Sequence, residues 1–400
     1  MHLYLHIGTA KTGTTTLQHF LYTNRAQLAA QGVALLDSAG APNARVLAAF
    51  AQPAEDFDHY FLSRGITDVA GKKRHFADFP ARLKAELAHL PQGTRAVLAS
   101  SEHLHARLCD DASLQRLRDL LLQVGITRIT MICYFREQSA QALSRYSTRL
   151  MAGAVETLDD LLREYTEDSP LWNYHLACNR WAKVFGYENL RARAFLPALF
   201  HDGDLRRDFL AQLPEITRPE LLDYSQEAQN RSLGHVGQAL ALTLNRTFPR
   251  YTAEGRNNDL RSRLYRVIAD SPLGRRGVTP FPQAPAIHAR FADSNAALGR
   301  DFLGLGGSPF APPAPPVAGS AYPGALSEEE QALISEAQAL FAETCAVAAG
   351  TPDVDSARAR ALRELAERTA RAMPKAQTRG GDTSSSAGRW SSLRRLLGRR

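Results

Sequence analysis

Residues 8–15, Gly-Thr-Ala-Lys-Thr-Gly-Thr-Thr, combine what anion binding requires. Glycines let the backbone approach a ligand closely, and the amides of a tight turn converge on negative charge. A lysine adds a mobile cation, and threonines add hydroxyl donors. Gly8, Lys11, Thr12, Gly13, Thr14 and Thr15 are therefore the candidate phosphate-binding residues. The bland alternative is a glycine turn followed by helix-capping threonines. A Walker A loop places its lysine directly after the second glycine, where this chain has Thr14. Here the lysine sits inside the loop, two residues before Gly13. The four cysteines (Cys109, Cys133, Cys178 and Cys345) are scattered, with no C-x-x-C pair and no histidine at zinc-ligand spacing. They read as reduced thiols of a cytoplasmic protein, and no metal site is expected.

The loop needs a strand before it and a helix after it, and the flanking residues supply both. His2–Ile7 is a short apolar run that reads as a strand. From Thr15, Leu17, Phe20, Leu21 and Leu28 follow a helical period. Further strands are expected at 33–36, 96–99, 126–135 and 190–195. Helices are expected at 113–122, from near Glu137, at 156–166 and at 171–185. Strands alternating with helices at this spacing imply a mainly parallel sheet flanked by helices, an α/β fold of P-loop-like form. Residues 41–90 read as helical or irregular, with 56–71 unassigned. After Pro197 the pattern is helical, with long loops at 249–260 and 271–285.

The chain has 400 residues, 44% of them hydrophobic, and a net charge of +7. Residues 374–400 hold seven basic residues against one acid, so nearly all of that charge sits in a tail. A nearly neutral body is not built to coat nucleic acid. The organisation expected is an α/β domain over 1–305, a Pro-rich linker at 306–325, a helical extension at 326–373 and a basic disordered tail at 374–400. No run approaches the length of a spanning helix, and residues 1–7 lack the features of a secretory signal. A cytoplasmic location is expected. Trp390, Leu393, Leu396 and Leu397 fall near one helical face among arginines, which suggests weak, reversible contact with the inner face of a membrane. A solvated tail is the alternative.

LHIGTAKTGTTTLQHFL (5–21) resembles the 5′-phosphosulfate loop of sulfotransferases that use 3′-phosphoadenosine 5′-phosphosulfate (PAPS), nearest to the bacterial branch related to carbohydrate sulfotransferases. In that family an arginine at the end of a central strand, and a serine about eight residues later, hold the 3′-phosphate. Arg136 and Ser144 match that spacing. Taken alone, Arg136 would read as an ion-pair former beyond a buried strand. The family often writes Arg-Asp-Pro here; this chain has Arg136-Glu137-Gln138, a form associated with the bacterial branch. Residues 172–195, QNRSLG (229–234) and 291–303 are similar to further segments of the same branch, so the resemblance covers roughly 1–305. It implies PAPS as donor, PAP (the corresponding 3′,5′-bisphosphate) as product, and an acceptor hydroxyl on a carbohydrate.

Sulfuryl transfer needs an in-line donor, charge stabilisation on the leaving phosphate and a base for the acceptor. Lys11 is the candidate for the leaving charge, with the loop amides, Thr14 and Thr15 on the 5′-phosphate. The base should lie at the C-terminal edge of a parallel strand. Glu102 is preferred and His103 is second; the resemblance associates glutamate with carbohydrate acceptors and histidine with small-molecule ones. His105, Trp172, Tyr174 and Trp181 read as packing residues. Two other functions stay open: a P-loop-type kinase, and a catalytically silent relative that binds nucleotide or glycan.

Overall fold

Among the described residues, five short runs form the strands: β1 (His2–His6), β2 (Val33–Leu35), β3 (Ala96–Ser100), β4 (Arg128–Phe135) and β5 (Leu190–Ala194). They appear in a computed structural model that describes residues 1–226, 233–251, 256–270, 274, 281–314 and 335. Every strand pairing is parallel, and the order is β2-β3-β1-β4-β5. The fold is the expected α/β one, a parallel sheet with helices on both faces. Every residue of β1 and β3 is buried, because a parallel strand covered on both faces loses the polar alternation of a half-exposed one.

Successive β1 side chains serve opposite faces. Leu3 and Leu5 pack with Val97, Met131, Leu117 and Trp181 on one side. Tyr4 packs with Leu98, Ile132, Leu17, Phe20 and Phe209 on the other. The chain lays β2 and β3 on one side of β1 and then crosses to place β4 on the other. In open α/β sheets such a reversal leaves a crevice at the C-terminal end of the strand, where ligands bind. His6 pairs with Ser100 on β3 and with Ile132 on β4. Beyond that register β4 runs three residues further, to Phe135.

Side-chain caps start the helices around this edge. Ser101 accepts from the His103 amide at 3.3 Å, Asp110 from Ser113 at 2.7 Å and Asn173 from Leu176 at 2.9 Å. Several expected boundaries move. The helix expected from Thr15 spans Thr14–Thr23, and Arg25–Ala30 is a separate helix. The break falls at Asn24, a buried residue whose amide donates to the carbonyls of Phe20 and Asp223 and accepts from the Asp223 amide. Residues 56–71, left unassigned from sequence, contain His59–Leu62 and the start of Val69–His75, capped by Asp58 and Asp68. The helix expected at 156–166 is confined to Leu158–Leu162.

The described residues divide into two compact units. The first draws on 1–145, 158–231 and 283–315, and the second on 146–157 and 232–282. In the first, Phe310, from the segment expected as a linker, is buried in the core. In the second, Arg261 is 4% exposed and donates to the Leu150 and Met151 carbonyls and to Asn245. The helical extension and the basic tail lie outside the described residues apart from Ser335, as does 229–234 apart from Leu233 and Gly234. No helix among the described residues is long and apolar enough to cross a membrane.

One buried carboxylate ties β4 and β5 to the Leu205–Leu210 helix. Asp208, 1% exposed, accepts from Tyr134 at 2.6 Å, from Arg193 Nε at 2.7 Å and from the His201 amide at 3.0 Å. Removing it strands a guanidinium and a buried phenol together. Asp208→Ala should therefore lower stability by about 3–5 kcal/mol. Thermal unfolding checks this, and an unchanged Tm would contradict the assigned role.

Candidate active site

The ends of β3, β1 and β4 lie side by side, and each carries one part of the candidate site. At the end of β1, Ile7 N donates to Ile132 O at 3.0 Å, and the chain then turns through the loop. Thr12 Oγ1 donates to Thr9 O at 2.7 Å, and Thr9 Oγ1 to Tyr134 O at 2.8 Å. Both threonines are buried, so Thr12 uses its hydroxyl to fix the loop and has only its amide to offer a ligand. Gly8 is hemmed in from both sides: a Cβ there would lie 2.7 Å from Thr14 Cγ2 and 2.8 Å from His6 Nε2. Gly13 is left-handed (φ 72°), and a Cβ on it would lie 2.5 Å from Leu205.

Lys11 is left-handed as well, at φ 71°, which costs a side-chain-bearing residue about 1–3 kcal/mol. Such strain persists where the surrounding structure over-determines it, often at ligand sites. The helix Thr14–Thr23 starts at Gly13 with no side-chain cap, its first bond running from Leu17 N to Gly13 O at 3.0 Å. Its first-turn amides and positive end face the loop.

The end of β3 supplies the carboxylate. Ser101 N donates to His6 O at 2.9 Å, and Ser101 Oγ to Asn43 Oδ1 at 2.7 Å. Glu102 opens the next helix with its side chain 24% exposed. Its Oε2 accepts from Gln18 Nε2 at 2.8 Å, while Asn43 Nδ2 lies 3.4 Å from Oε1. Burial lowers the Lys11 pKa, the Glu102 charge raises it and the Arg136 charge lowers it. Lys11 thus feels the carboxylate of one strand end and the guanidinium of another.

His103 Nε2 lies 3.9 Å from Glu102 Oε1. Burial lowers its pKa from that of a free imidazole, against the opposing pull of Glu102. His105 is buried, its pKa pushed down to about 4 by desolvation, as a packing histidine would be. His6, fully buried under the loop, is pushed down to about 3 for the same reason and meets Ser100 Oγ at 2.7 Å.

The end of β4 supplies Arg136. Its Nη1 donates to Lys11 O at 3.3 Å, its own carbonyl accepts from Tyr174 Oη at 2.8 Å, and its guanidinium lies 5.9 Å from the Phe195 ring. Glu137 takes the cap role at the start of the Gln138–Met151 helix, accepting from Ala140 N at 2.9 Å. Gln138 forms a reciprocal amide pair with Asn295, at 3.0 and 2.9 Å. On the same helix, Gln141 Nε2 reaches Ala10 O at 3.4 Å and Gln141 Oε1 accepts from Tyr165. Ser144 follows Gln141 by three residues, on the same side of the helix, and is half-buried.

Lys11, Glu102 and Arg136 are thereby brought together from 125 residues of chain. Trp172, Tyr174 and Trp181 are buried, as expected of packing aromatics, though Tyr174 also holds the Arg136 carbonyl. Gln18, Asn43 and Gln141 join the site without having been expected from the sequence. Gln18 had a usable signal, standing four residues after Thr14 on one helix. Asn43 had none, because it lies in the irregular stretch after β2.

No family model matches this chain. No curated protein matches it either. A solved structure described as a sulfotransferase from Alicyclobacillus acidocaldarius is similar at 15% identity over 60% of this chain and 89% of its own, with a TM-score of 0.32.

Proposed function

We propose that this protein is a sulfotransferase that moves a sulfuryl group from PAPS to an acceptor hydroxyl, that of a carbohydrate. The observation that carries the reading is Lys11, set between Glu102 and Arg136 on three adjacent strand ends. The amides of Thr14 and Thr15 hold the 5′-phosphate at the helix start. Lys11 meets the charge that grows on the bridging oxygen as the bond from that oxygen to sulfur breaks. Glu102 takes the proton of the acceptor hydroxyl as its oxygen bonds to sulfur, and the electron pair of the broken bond stays with PAP. Arg136 and Ser144 hold the 3′-phosphate, which distinguishes this donor from other adenine nucleotides. The reading uses no metal, since a sulfuryl group carries less negative charge than a phosphoryl group. A glutamate in the base position favours a carbohydrate acceptor, on the resemblance of the loop to the carbohydrate-directed branch.

Calorimetry with PAP, ADP and ATP in parallel tests the donor. Preference for PAP without magnesium supports the reading, whereas magnesium-dependent preference for ATP moves it to a kinase. Arg136→Ala and Ser144→Ala should each erode the preference for PAP over AMP by roughly 10-fold or more, as expected for a charge-assisted bond of about 1.5–3 kcal/mol. If the variants and the parent discriminate the two ligands equally, Arg136 and Ser144 are structural.

A further inference from the structure

Gln18 occupies a position where an apolar residue would be expected. It is 6% exposed, and its helix neighbours Leu17, Phe20 and Leu21 all pack in the core. A buried carboxamide is unfavourable unless its polar atoms are partnered. Gln18 finds its partners at the neighbouring strand end: Glu102 Oε2 at 2.8 Å and the Ser100 carbonyl at 3.4 Å. Both are acceptors, so only the Nε2 end of the amide can face them. The bond to Glu102 is charge-assisted and of full-strength length.

The other carboxylate oxygen is held differently. Oε1 faces Asn43 Nδ2 at 3.4 Å and His103 Nε2 at 3.9 Å, both longer than a strong hydrogen bond. Asn43 is itself pinned, its Oδ1 accepting from Ser101 Oγ at 2.7 Å. One oxygen is thus engaged at full strength from the helix that begins at the anion-binding loop, and the other has only the longer contacts, Asn43 Nδ2 lying also 3.5 Å from Oε2.

Resting on the sulfotransferase reading, we propose that Gln18 is the positioning residue of the base. It holds Oε2 of Glu102 and leaves Oε1 to take the acceptor's proton. Gln18 stands one turn after Thr14 on a rigid helix, so the segment that receives the donor phosphate also sets the direction of the base. A misdirected base costs rate without costing donor affinity, because misplacement by about 1 Å can lower turnover about 10²-fold.

Gln18→Met keeps length and helix propensity and removes the donor. It should lower kcat about 10–100-fold, with PAP affinity, acceptor KM and Tm close to those of the parent. In a Glu102→Gln background the same change should cost less than about 3-fold, because coupled residues are non-additive. Full-speed Gln18→Met, or a loss that repeats undiminished in the Glu102→Gln background, overturns the inference while the sulfotransferase reading stands. A parent protein that neither binds PAP nor transfers sulfuryl overturns the reading and this inference with it. Gln18→Asn, which keeps an amide but withdraws it from Oε2, serves the same test if the methionine variant does not fold.

Discussion

Glu102→Gln should lower the rate of sulfuryl transfer by about 10²–10⁴-fold while PAP binding stays nearly unchanged. The substitution keeps the size of the side chain and removes its ability to accept a proton. Donor contacts survive because they belong to the other two strand ends, the loop after β1 and Arg136 after β4. The glutamine would also meet Gln18 Nε2 with either an oxygen or a second donor, and only the first orientation keeps that bond. His103→Ala, made in parallel, should cost much less, since His103 Nε2 lies 3.9 Å from Glu102 Oε1, beyond hydrogen-bond length. If His103→Ala abolishes transfer and Glu102→Gln remains active, the histidine is the base and a small-molecule acceptor becomes the better reading. Near-normal activity in both variants would place the base elsewhere.

Lys11→Ala should lower kcat by the equivalent of about 2.7–4 kcal/mol, the usual cost of losing one contact to transition-state charge. The loss in PAP affinity should be smaller, because loop amides and Arg136 still hold the ground-state phosphates. Lys11 is half-buried, and burial acts to lower its pKa while Glu102 opposes that. A bound anionic donor would add further stabilisation of the ammonium, drawing the charge toward the leaving oxygen. The left-handed backbone at φ 71° strains alanine as it strains lysine, so the loop should keep its shape. Lys11→Arg should restore little, since a planar fork is not the compact point charge the loop holds. Unchanged turnover in a folded Lys11→Ala protein would remove Lys11 from the mechanism.

The strand, turn and helix around residues 8–15 were legible because their parts are contiguous: an apolar strand, glycines at 8 and 13, and a helical period from Leu17. β1, β3 and β4 were legible because burial on both faces leaves mostly apolar runs, which need no knowledge of the neighbours. Short helices such as His59–Leu62 were not, since four residues carry too little period to separate from a loop.

The break at Asn24 was hidden for another reason, its partner Asp223 being 199 residues away. The same holds at the site. Turn chemistry and periodicity report what a segment does by itself, so the sequence determined a loop suited to anions and a parallel sheet to carry it. That β1 lies between β3 and β4 depends on which faces distant helices cover. Only that order sets Lys11 between Glu102 and Arg136 and brings Gln18 to a carboxylate 84 residues further on.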